Sequence, residues 1–176
     1  MYARMLYHSG GYKADNEAYE KLYQVLRGRG AFLFEYGHSL HKSFLYADSN
    51  KYLEEACRYS SDPMVLNVMG KNYQEQHCYE QAEKFFYRAI HRLPGRIYPY
   101  YLLANLYAEP DFYKPDKLKE AADSVLTKEP KVHSTAIDEM RSEVREILKR
   151  KDKFEIKKLN KLWKHTKTVS YKHHTM

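Results

Sequence analysis

The chain has 176 residues, of which 30% are charged, 18 are Tyr and only two are Cys. That length suffices for one domain or one solenoid segment with a continuous core. Cys57 and Cys78 stand in neither a C-x-x-C nor a zinc-type spacing, so a disulfide framework and a zinc site are not indicated. The formal charge of +7 is uneven: residues 149–176 hold ten Lys/Arg and two acids, net +8, and the rest hold 20 and 21, net −1. Phosphate binding needs cations spread over the binding face, so a nucleic-acid groove is excluded and attraction to polyanions belongs to the tail. No apolar run approaches the ~18 residues of a membrane span, and the N-terminus lacks a signal peptide's apolar stretch, so a soluble, cytoplasmic chain is expected.

In chain order, helices are expected near 13–26, 30–43, 47–60, 63–76, 79–92, 97–108, 116–128 and 133–150. Tyr12, Tyr46, Tyr79 and Tyr113 recur every 33 or 34 residues, each after a turn. Residues 1–29 read as a partial repeat: Gly10 and Gly11 make the turn, and Tyr19, Leu22, Tyr23 and Leu26 form the core face of its second helix. Only Met1 to His8 stands for the first helix. The array therefore reads as starting inside a repeat, as a piece of a longer protein would. Those four side chains are expected to be partly uncovered, favouring a dimer through residues 1–29.

Residues 30–62 carry Leu33, Tyr36, Gly37 and Leu40, then Ser49, Leu53 and Ala56. Residues 63–96 carry Leu66, Met69, Gly70 and Tyr73, then Ala82, Phe86, Ala89 and Pro94. Residues 97–130 carry Tyr100, Leu103, Ala104 and Tyr107, then Leu118, Ala122 and Val125, with a longer turn holding Pro110 and Pro115 and an end at Pro130. Spacings of i, i+3, i+4 and i+7 place each set on one helix face. Gly70, Ala82 and Ala89 let the two helices of a hairpin approach, while Tyr73 and Phe86 fill the gap between hairpins. Residues 131–150 form a capping helix with the stripe Ile137, Met140, Val144, Ile147 and Leu148 and a charged outer face that includes Arg141. Residues 151–176 are a basic tail.

This pattern over residues 1–150 resembles the tetratricopeptide-repeat (TPR) family. The resemblance implies an all-α solenoid of antiparallel helix hairpins in a right-handed superhelix with a C-terminal capping helix. The wording at Phe34–Gly37, Asp62–Met64 and Arg96–Ala104 is similar to the TPR segments that follow the membrane domain of bacterial O-antigen ligase-like proteins. That resemblance implies a soluble accessory region of a glycan ligase or polymerase, without the catalytic part.

No G-x-S-x-G, H-E-x-x-H or P-loop is present, and no catalytic residue, metal site or cofactor is assigned. His38 and His41, one turn apart, lack further ligands fixed by the sequence. In TPR proteins the groove is lined by the first helix of each hairpin. Here that face offers Phe34, His38, His41 and Lys42, then Asn67, Lys71 and Gln74, then Tyr98, Tyr101 and Asn105. Asn67, Lys71 and Asn105 match part of the family's carboxylate clamp. Tyr98 and Tyr101 would supply flat apolar area to an extended peptide. In the tail, Ile156, Leu159 and Trp163 share a helical face among lysines. Lys157, Lys158, Lys161, Trp163 and Lys164 would meet an anionic membrane surface or an acidic partner, or the segment packs on the cap. The function expected is that of a non-catalytic scaffold that binds a protein or peptide in the concave groove.

Overall fold

The computed structural model describes the backbone of residues 15–172 and the side chains of residues 15–153. Residues 15–26 are helical (α1). There follow α2 (Gly30–Lys42), α3 (Tyr46–Tyr59), α4 (Pro63–Glu75), α5 (Tyr79–Arg92), α6 (Tyr98–Ala108), a 3-10 turn (Pro110–Phe112), α7 (Pro115–Thr127) and α8 (Thr135–Lys172). No strand occurs among the described residues. Helices α2 to α7 lie within one residue of the bounds expected from the sequence.

Helix α2 packs on α3, α4 on α5 and α6 on α7, and each hairpin packs on the next through α3·α4 and α5·α6. Helices α2, α4 and α6 also touch in succession, which makes them the inner layer and α3, α5 and α7 the outer one. Close approach inside each hairpin depends on one small residue. A Cβ built on Gly70 would lie 2.3 Å from Phe86 Cε1, and one on Gly37 would lie 2.6 Å from Leu53 Cγ. In the third hairpin the positions that match Gly70 and Phe86 in the repeat hold Ala104 and Ala122, both fully buried. Where the outer helix offers a methyl instead of a ring, the inner helix has room for one too.

The turn inside the first two of these hairpins repeats one backbone device. Phe44 (φ 63°) and His77 (φ 59°) are left-handed. Leu45 N–H donates to Leu40 C=O, and Cys78 N–H to Tyr73 C=O, both at the helix C-terminus. This is the Schellman motif, here without the usual glycine. Asp62 caps α4 by accepting from Met64 N–H at 2.9 Å. Pro63 is therefore the first residue of α4, a place where its missing N–H costs nothing. The longer third turn folds inward: Phe112 is buried, stacks on Tyr79 at 5.3 Å and lies beneath the Lys114 ammonium at 3.6 Å.

The ends differ from the middle. Helix α1 is tied on by rings and phenols: Tyr19 stacks on Tyr36, Tyr23 meets Tyr52 edge-on, and Tyr36 and Tyr23 donate to Glu20 (2.5 Å) and Glu55 (2.7 Å). Tyr19, Tyr23 and Leu26 are half-buried and Leu22 is 49% exposed. Residues 1–14, on which part of the expected dimer contact falls, lie outside the described residues.

At the other end α8 packs on α6 and α7 with Val144 fully buried. Arg141 does not lie on the solvent face. Its guanidinium donates to Val125 C=O (3.1 Å) and Lys128 C=O (2.8 Å), closing the carbonyl end of α7. The helix does not stop at 150 but runs on to Lys172, with no Gly or Pro from Thr135 onward to end it. At 1.5 Å per residue it is about 57 Å long, far longer than the helices it packs on. The side chains of Lys157, Lys158, Lys161, Trp163 and Lys164 lie outside the described residues.

Candidate functional site

The residues expected to line the groove lie on the inner helices, aromatic on α2 and α6 and polar on α4 between them. On the α2 wall Phe34 and His38, one turn apart, stack at 5.8 Å between ring centres. On the α6 wall Tyr98 and Tyr101 stack at 6.2 Å. Helix α4 lies between them and contributes Asn67, Lys71 and Gln74. The helical repeat sets this registry. Phe34, Asn67 and Tyr101 occupy one position in successive inner helices, and His38, Lys71 and Asn105 another.

These residues divide by whether their polar groups are satisfied. Tyr101 donates to Glu143 of α8. Its phenol is pushed up to about 12, chiefly by burial and then by that carboxylate. Asn105 donates to Tyr101 C=O at 3.0 Å, and Gln74 donates to Glu109 at 3.0 Å. Asn67 is 4% exposed, and no donor from a described residue reaches its amide oxygen, which is itself buried. Lys71 is half-buried and forms no ion pair with a described residue; burial, then the charge of Lys42, holds its ammonium below the usual lysine range. Burial and Lys42 likewise lower His38.

His41 is set apart from the other groove residues. It is 9% exposed, and its Nδ1 lies 2.6 Å from Asn72 Oδ1. The Asn72 amide nitrogen donates to Ser49 Oγ (2.8 Å) and Asn50 Oδ1 (2.7 Å), and Ser49 donates to Gly37 C=O (2.6 Å). Both amide hydrogens are thus used. Asn72 can only accept from His41, which fixes the imidazole as the Nδ1–H tautomer. Burial, the largest cause, and the cations Lys71 and Lys42 lower its pKa to about 4, against the opposing Asn72 bond. His41 therefore joins α2 to α4 as a neutral structural link, and its side chain faces the seam between hairpins.

Sequence reasoning did not find Asn72, which stands between Lys71 and Tyr73 in the polar end of α4, nor Glu109 and Glu143. The carboxylates reach the groove only because the third turn and α8 fold against α6. There Asn105, Glu109, Glu143, Ile147, Arg150 and Lys151 line a cleft of about 510 Å³. Among the described residues no three His, Cys, Asp or Glu side chains converge on a point that could hold a metal. No helix among them is long and apolar enough to cross a membrane.

Neither a family model nor a curated protein matches this chain. Among solved structures, the crystal structure of MamA, a TPR-containing protein, superposes with a TM-score of 0.61 at 18% identity, covering 86% of this chain and 92% of that one. The fold is an all-α, TPR-like solenoid. The likeness to O-antigen ligase-like proteins finds no support in these comparisons.

Proposed function

We propose that this chain is a non-catalytic scaffold whose concave groove holds an extended segment of a partner protein. The observation that carries the reading is Lys71, a half-buried cation on the inner helix α4 that forms no ion pair with a described residue. A polypeptide supplies carbonyl or carboxylate oxygen for that ammonium. The stacked pairs Phe34/His38 and Tyr98/Tyr101 offer flat area to the side chains of such a segment.

Selection of a displayed random-peptide library on the full chain tests this. Selected peptides should bind with saturation and lose about tenfold or more in affinity with Lys71→Glu, at unchanged melting temperature. Peptides that bind Lys71→Glu as tightly as the wild type would overturn the groove reading.

A further inference from the structure

The turns leading from each outer helix to the next inner helix line up along one edge of the solenoid. Residues 57–61, Pro63, Arg92 and Leu93 border one cleft there, and Leu93 also borders a second, of about 620 Å³. The second cleft is walled by Ile97, Val132, Ile137 and Met140. Apolar surface is open along this edge: Tyr59 is 55% exposed, Leu93 38% and Val132 79%. The same turns carry Arg58, Arg92, Arg96 and Lys131, all exposed, and none makes an ion pair or a side-chain hydrogen bond with a described residue. No carboxylate lines either cleft. Nearby, Asp62 is occupied in capping α4 and Asp138 faces His133. Unpaired cations thus gather at one edge of a body that, over residues 1–148, carries more acids than bases.

We propose that this edge is a second docking surface, for an acidic segment of a partner protein that seats an apolar side chain between Leu93 and Val132. The charge selects the segment: four cations with no ion pair to a described residue attract carboxylates and repel basic chains. The cleft selects a side chain over a bilayer, because a recess between two turns accepts a protruding group and a membrane surface offers none. The surface is separate from the groove floor, although Tyr98 belongs to both the α6 wall and the second cleft.

The test titrates the isotope-labelled full chain with a short synthetic peptide of Glu and Ser around a central Phe, following backbone amide shifts. Its Lys-for-Glu counterpart and phosphatidylglycerol vesicles are the comparators. Saturable shifts confined to residues 92–98 and 130–140 are expected, with no response to the Lys peptide. Affinity should fall about tenfold in Arg96→Glu/Lys131→Glu. It should not change in Lys71→Glu, which perturbs the groove floor alone, so the two readings fail separately. Shifts centred on residues 34, 38, 67 and 71, equal binding of the Lys peptide, binding to vesicles alone, or no saturable shift each overturn the proposal.

Discussion

Adding one methyl at Gly70 tests how the hairpins are built. Glycine in a helix interior is about 0.5–1 kcal/mol worse than alanine, so Gly70→Ala would stabilise an isolated α4 by that amount. In the folded chain the new Cβ would fall 2.3 Å from Phe86 Cε1 and 2.6 Å from Cδ1. The ring cannot swing clear, because Phe86 is fully buried in a cluster with Ile97, Leu103 and Tyr107. Overpacking of this kind costs about 1–3 kcal/mol, and set against the helical gain it leaves a net loss of up to about 2.5 kcal/mol. Phe86→Ala alone should cost about 3–5 kcal/mol. In that background Gly70→Ala should stabilise by about 0.5–1 kcal/mol, since the pair then copies Ala104 and Ala122 of the third hairpin. Urea unfolding followed by circular dichroism, with an osmolyte present to keep the Phe86→Ala proteins folded at the start, gives all four corners of the cycle. The reasoning rests on the change of sign. If Gly70→Ala is neutral or stabilising in the wild-type background, the ring does not hold the helix spacing. Gly70→Leu, larger still, should lose at least as much.

Further expectations follow from the polar and backbone details. The His41 pKa is about 4 in the fold and near 6.5 unfolded, so only the unfolded chain takes up the proton between those values. Its contribution is intact above pH ~6.5 and declines by up to about 3 kcal/mol as pH falls toward 4. Equal pH slopes of unfolding free energy for wild type and His41→Gln over that window would refute this. Asn72→Ala leaves the His41 N–H, Ser49 and Asn50 without their partner and should lower stability by about 2–3 kcal/mol in urea. Phe44→Gly relieves a left-handed residue and should raise stability by about 0.5–1 kcal/mol; a loss would mean that contact of the ring with Tyr46 outweighs the backbone strain. Glu83 is desolvated, yet Lys117 (2.5 Å), Tyr107 (2.7 Å) and Lys114 (3.3 Å) hold its carboxyl below the usual range, and Glu83→Ala should lower the unfolding free energy by about 1–2 kcal/mol.

The sequence by itself determined helices α2 to α7 and their pairing into hairpins. Each of these is local or periodic: the spacing of Leu66, Met69, Gly70 and Tyr73 selects a face, Asp62–Pro63 starts a helix, and a recurrence of 33 or 34 residues places Phe34, Asn67 and Tyr101 in register. Small residues at Gly37 and Gly70 already marked where helices meet. Only the tertiary structure decided which polar groups are spent and which are free. His41 and His38 look alike in sequence, one turn apart on one helix, yet Asn72 from the next hairpin takes His41 out of the groove and leaves His38 in it. Gln74 and Tyr101 are tied by Glu109 and Glu143, 35 and 42 residues away, and Arg141 closes α7 instead of facing water. Lys71 and Asn67 stand out only after those pairings are known. Periodicity fixes the direction of a side chain from its own helix, whereas a hydrogen-bond partner on another helix depends on how the hairpins stack, and no single stretch of chain encodes that distance.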